Sequence, residues 1–217
     1  MQTLDAFLSR LLPLVPGCAH PVALQALVDS AIEFCEKSQV VQLTTAAVNA
    51  VAGTFNYTIV LPADTNVSQV LRVWYGNAEM GLPAQHDVNS PLAYNPVAGD
   101  ATREVGTPRM AFIVDPTTIT LYPTPRVDLT SAVTVRVATK PSRSATTLAD
   151  LLLEDWVEGV VAGAAYRLAA SPSEAYSSDS NAMKYASMYR YHLGCARIEA
   201  NKGRVRGDMT VQQRPFA

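Results

Sequence analysis

The apolar residues of this chain change their spacing twice, and that double change restricts the fold more than any single motif does. Up to about residue 40 they recur every three or four positions. In HPVALQALVDSAIEFCEKS, Leu24, Leu27, Val28, Ala31, Ile32 and Cys35 fall on one helical face, and Pro21 suits a first turn. A shorter helix is expected over residues 4–12, with LVPGCAHP turning the chain between the two. From Val40 the period drops towards two. FNYTIVLP, VSQVLRVWYGNAEM, TITLYP and AVTVRVATKP read as strands, and Gly76-Asn77 as a turn. After Pro141 the helical period returns. One helix is expected from Thr146 or Thr147 as N-cap to about Ala170, with Asp150, Glu154 and Asp155 near its positive dipole end. SPSEAYSSDS breaks it, and a second helix follows from about Ser178, closed by Gly203 as its C′ residue.

Strands joined by Pro/Gly turns without crossover helices favour an antiparallel sandwich over a parallel sheet. The expected fold class is therefore α+β. N-terminal helices (1–39) and a C-terminal helical hairpin (147–203) form one discontinuous bundle. An antiparallel β-sandwich-like domain (40–146) is inserted in it, and an extended arm (204–217) follows. Residues 80–110, rich in proline and glycine, offer no regular element.

The 217 residues are 48% hydrophobic and 17% charged, which suits a soluble globular chain with a real core. A net charge of −2 provides no global attraction for nucleic acid or an anionic membrane. Cys18, Cys35 and Cys195 lie far apart without CxxC spacing, against a disulfide framework or a zinc site and in favour of a reducing compartment. The apolar N-terminal stretch is interrupted by Asp5 and Arg10, so neither a targeting signal nor a transmembrane segment is expected.

Chemistry is hard to find. His20, His86 and His192 have no metal-ligand spacing to another His or Cys. Glu154 and Asp155 are adjacent on a helix and point about 100° apart, so they do not form an acid–base pair. No GxSxG, GxGxxG or Walker pattern occurs. No enzyme, metal or cofactor is expected; a hydrolase dependent on His86 or Asp87 would be the exception.

The informative stretch is WVEGVVAGAAYRL. Glycine in a helix interior costs about 1 kcal/mol against alanine, so Gly159 and Gly163, four apart, imply a close backbone approach that compensates. The neighbour is either this chain or an adjacent subunit. Trp156 anchors the edge of that seam. On the second helix, Tyr185, Met188 and Tyr189, with Tyr191 and Met183, supply amphipathic bulk of the kind enriched at protein interfaces. The tail RVRGDMTVQQRPFA lacks helical periodicity and carries Arg204, Arg206 and Arg214.

Taken in order, VPGCAHPVALQALVDSAIEFCEKS, NAVAGTFNYTIVLPADTNVSQVLRVWYGNAEM, TITLYPTP and VRVATKPSRSATTLADLLLEDWVEGVVAGAAYRL resemble the head-to-tail adaptors of tailed bacteriophages, the class related to tail tubular protein A. The similarity extends from about residue 11 to 216 and includes GRVRGDMTVQQRPF. It implies a virion protein made in the host cytoplasm. Such adaptors form a ring, usually of twelve copies, between the portal protein and a downstream tail or nozzle protein, around the DNA channel. The resemblance implies that the arm docks on the portal, a role falling here to Arg204, Arg206, Arg214 and Phe216. The competing reading is a β-sandwich module that binds carbohydrate or a receptor, with Trp74, Tyr75 and Tyr94 as stacking platforms.

Overall fold

A computed structural model of the chain describes residues 1–82, 104–172 and 174–202. In chain order these form β1 (Gln2–Thr3), α1 (Leu4–Leu11), a 3-10 turn (Leu12–Leu14), α2 (His20–Ser38), β2 (Gln42–Thr44), β3 (Val48–Ala50), β4 (Asn56–Thr58), β5 (Thr65–Tyr75) and β6 (Ala78–Glu79). Then come β7 (Val105–Gly106), β8 (Met110–Asp115), β9 (Thr118–Tyr122), β10 (Thr124–Pro125), β11 (Leu129–Pro141), β12 (Thr147–Leu148), α3 (Asp150–Glu154), α4 (Val157–Ala169) and α5 (Asp179–Lys202). The fold is α+β, with helices and mainly antiparallel sheet.

The apolar residues collect into two clusters. One draws on Phe7, Leu11, Leu27, Phe34, Leu152, Val160 and Tyr189 from the helices, with Leu148 from β12. The other draws on Tyr57, Val67, Val73, Ile119, Leu121, Val133 and Val137 from two sheets. Those sheets are a five-stranded one built on the order β2-β11-β5-β6, with β3 also on β11, and a three-stranded one, β4-β9-β8. Burial of both sheets' inner faces in one cluster is what makes the pair sandwich-like. The short β7–β10 pair is parallel.

In β5 the buried residues Val67, Val70 and Val73 are three apart, which a flat strand would not present on one face. The ladder with β11 slips between Arg136 and Val137 and again between Ala138 and Thr139. Each slip leaves one extra residue in β5, Leu71 and Ser68, and each bulge returns the next valine to the core side.

The sequence expectation of one helix from residue 146 or 147 is corrected. Thr147 lies in β12, paired with β1, and α3 ends at Glu154. Trp156, at φ −126° and ψ 14°, separates α3 from α4. Thr146 and Thr147 cap nothing; both bond the carboxylate of Asp64, and α3 takes Ala149 as N-cap without a side-chain bond. Glu154 thus closes α3, and Glu158 supplies the acid in the first turn of α4. The second helix does start beyond Ser178, whose hydroxyl accepts from Asn181 N–H at 3.4 Å. Gly203 lies outside the described residues. Residues 80–110 are also corrected in part, since β7 falls within them and β8 starts at Met110. FNYTIVLP keeps its alternation, Tyr57 and Ile59 being buried, but is a ladder strand only over β4, with one further backbone bond on each side, from Leu121 N–H to the Phe55 carbonyl and from Ile59 N–H to the Thr117 carbonyl.

Asp64, at φ 61°, ties the entry of β5 to the crossing from sheet to helices. One carboxylate oxygen accepts from the amides and hydroxyls of Thr146 and Thr147 at 3.1–3.3 Å. These bonds, first those from Thr146, hold its pKa below the ordinary 3.8. A depressed folded-state pKa contributes stability above the unfolded value and loses it as the pH falls through the folded one. Asp64→Asn is therefore expected to lower the melting temperature at pH 7. The gap to the native chain should close as the pH is taken below 3.8, read by thermal melts across a pH series.

Candidate assembly surfaces

The bare face of α4 is filled from within the chain. A Cβ on Gly159 would lie 2.9 Å from His192 Cβ and 3.0 Å from Phe34 Cε2. On Gly163 it would run into Ser30 Oγ and stand 2.7 Å from Tyr189 Cδ2. The two glycines therefore let α2 and α5 both close on α4, which is buried on nearly every side. Ser30, fully buried, donates to the Val160 carbonyl at 2.7 Å, and the Phe34 ring sits 6.0 Å from Trp156 and 6.1 Å from Tyr189. Trp156, Tyr185 and Tyr189 are buried. Trp156 Nε1 and the Tyr189 hydroxyl have no hydrogen-bond partner among the described residues. Burial, ahead of the nearby Glu33 carboxylate, raises the Tyr189 pKa, so its hydroxyl stays neutral.

Beside this seam, Arg167 and Lys37 both bond Glu33. Burial works against ionisation of Glu33, but these two cations overcome it and hold its pKa below the ordinary value. Burial pushes the Cys35 thiol up to about 12, which makes it unreactive as a nucleophile.

Met188, in contrast to its neighbours, is partly exposed and lines a shallow groove of about 350 Å³. Val161 and Ala162 line it too, beside Leu14 and Tyr185, with Arg10, Glu158 and Lys184 as its charged groups. No His/Cys/Asp/Glu group suited to a metal occurs among the described residues. Among them, no helix is long and apolar enough to cross a membrane. His20 opens α2, and His192 stands 3.7 Å from Glu158 with no nucleophile in the contact. His86 and Asp87 lie outside the described residues.

Among the described residues, two of the surfaces that present apolar side chains to solvent stand out. One is α5, where Met183, Tyr191 and Ile198 are 77%, 69% and 56% exposed. The other is the end of the β region where β11 begins. There Val51, Val105, Val127 and Leu129 are exposed, on turns joined by Gly53 N–H to the Pro125 carbonyl and Arg126 N–H to the Gly106 carbonyl. These valines were not singled out in the sequence, because exposure at a turn leaves no periodic trace. The supposed stacking platform is not assembled: Tyr75 is buried in the sheet cluster, Trp74 is half-buried on the other face of β5, and Tyr94 lies outside the described residues. The arm residues Arg204, Arg206, Arg214 and Phe216 also lie outside them.

The comparison with known families decides the class of the chain. Residues 3–214 match the family described as SU10 adaptor protein. The chain belongs to that family. No curated protein matches it. As an SU10-family adaptor it is a bacteriophage structural protein, a virion component that associates with other phage head and tail proteins. Adaptors of this family are not known as enzymes.

The packing of the adaptor's α4 gives two stability predictions. Gly163→Ala is expected to destabilise, since overpacking of about 1–3 kcal/mol outweighs the propensity gain of about 1 kcal/mol. Adding Ser30→Ala should recover part of the loss, read as non-additivity in chemical denaturation. Trp156→Ala should cost roughly 3–5 kcal/mol by the same measurement, as expected for a buried indole.

Proposed function

We propose that this adaptor joins the portal vertex to the tail as one subunit of a closed ring of twelve copies, related to the tail tubular protein A class. The terminal helices form a bundle around the DNA channel. The β region projects from it towards the downstream tail or nozzle protein. Contact with the double-stranded genome is non-specific proximity within the channel.

The observation that carries this reading is the division of the apolar surface. The helical core is satisfied inside one chain, with α4 enclosed by α1, α2 and α5, whereas exposed apolar side chains stand on α5 and on the far end of the β region. Side chains in those places fit protein partners on more than one side, as a connecting subunit requires. A closed ring needs two unlike patches on each copy, one meeting the other on the next. Residues 204–217 dock on the portal, with Arg204, Arg206 and Arg214 contacting acidic or carbonyl groups and Phe216 seated in an apolar recess.

Removal of residues 204–217 is expected to leave a folded, soluble chain with an unchanged melting temperature and no binding to purified portal particles. Co-sedimentation with those particles measures this, and undiminished binding would overturn the docking role.

A further inference from the structure

The outward face of α5 is organised as a contact ridge. Met183, Tyr191 and Ile198 are eight and seven residues apart, which places them within about 80° of arc along roughly 22 Å of helix. They point away from Tyr185, Tyr189 and Ala196, which face the core. Between them stand Ser187 and Gly194, and a Cβ on Gly194 would meet nothing within 4 Å. Arg190 and Arg197 border one side of the ridge, Lys184 and Lys202 the other, all exposed. Arg197 donates to the Lys37 carbonyl at 3.1 Å, which fixes that cation at the border.

The complement is on the same chain. α1 packs on α2 and α4, as α5 does, and the groove lined by Arg10, Leu14, Lys184 and Met188 separates its C-terminal end from α5. The first turn of α1 is held to α3 by the β1–β12 pair, by Leu4 N–H to the Thr146 carbonyl and by the Met1 amine on Asp150. That flank exposes Asp5 and Glu154, and Met1 and Val22 are exposed beside the first turns of α1 and α2. Its exposed charges are mainly acidic, Arg10 in the last turn of α1 being the exception, where the ridge is apolar with basic borders.

We infer that the α5 ridge of one copy packs against the α1–α3 flank of the next, apolar on apolar, with Lys184 and Arg190 facing Asp5 and Glu154. The inference rests on the ring reading and names its subunit contact. Opposite charge sets the partner and the register of such a contact. A double-stranded DNA partner fits less well, because three exposed apolar side chains along the middle of the ridge gain nothing from phosphates.

The test uses the full-length chain, alone and with portal particles, and reads assembly mass by single-molecule photometry. Lys184→Glu/Arg190→Glu and Asp5→Lys/Glu154→Lys should each weaken assembly at least tenfold while leaving the melting temperature in place. An equimolar mixture of the two variants should restore it, because each reversed ridge then meets a reversed flank. Assembly undiminished in either variant, or no restoration on mixing, would overturn the contact while leaving the ring intact. A native chain that stays single under both conditions would remove the ring reading and this inference with it. Normal assembly with lost retention of duplex DNA would reassign the ridge to nucleic acid.

Discussion

The helical part of this molecule depends on the approach of three helices at α4, made possible by the missing side chains of Gly159 and Gly163. With a methyl at either position, Phe34 and Ser30 from α2 and Tyr189 and His192 from α5 could not keep their places. The rings that fill the space are large and rigid, so the arrangement has few ways to relax. In the same seam lie two buried groups without hydrogen-bond partners among the described residues, Trp156 Nε1 and the Tyr189 hydroxyl. Each costs free energy, and each side chain stays because its apolar bulk seals the seam.

The β region is joined to this helical part by specific ties. β11 continues from the sheet cluster past α2, where Lys140 pairs with Glu36 and Thr139 N–H donates to the Val41 carbonyl at 2.9 Å. Asp64 fastens the loop ahead of β5 to residues 146 and 147. These contacts bring the start and the end of the sheet region to one place, beside β1 and β12.

Much of this was legible in the sequence because burial leaves a period. The three- and four-residue spacing in α2 and the glycines of α4 both reported real packing, and Tyr57 and Ile59 alternate inward as their spacing suggests. What was illegible involved partners distant in sequence. Nothing near Thr146 and Thr147 indicates that their hydroxyls belong to a carboxylate 82 and 83 residues away. The break at Trp156 was invisible because neither proline nor glycine marks it. Tyr75 looked like an available aromatic, but it follows Val73 by two on the same face of β5 and is buried with it. The exposed ridge of α5 was half seen: Met183 and Tyr191 stood out as bulk, but they were grouped with Tyr185 and Tyr189, which lie on the opposite, buried face.

The pairing of β1 with β12 also has a temporal consequence. The partner of Gln2 is Leu148, and α1 and α2 bury their apolar faces largely against α4, which is synthesised more than a hundred residues later. At usual rates of about 5–20 residues per second, a nascent chain carries those two helices uncovered for roughly 5–30 s. The sheet region can close during that interval, since its strands are contiguous. Ribosome-bound chaperones would thus meet the amino-terminal helices before their own fold does.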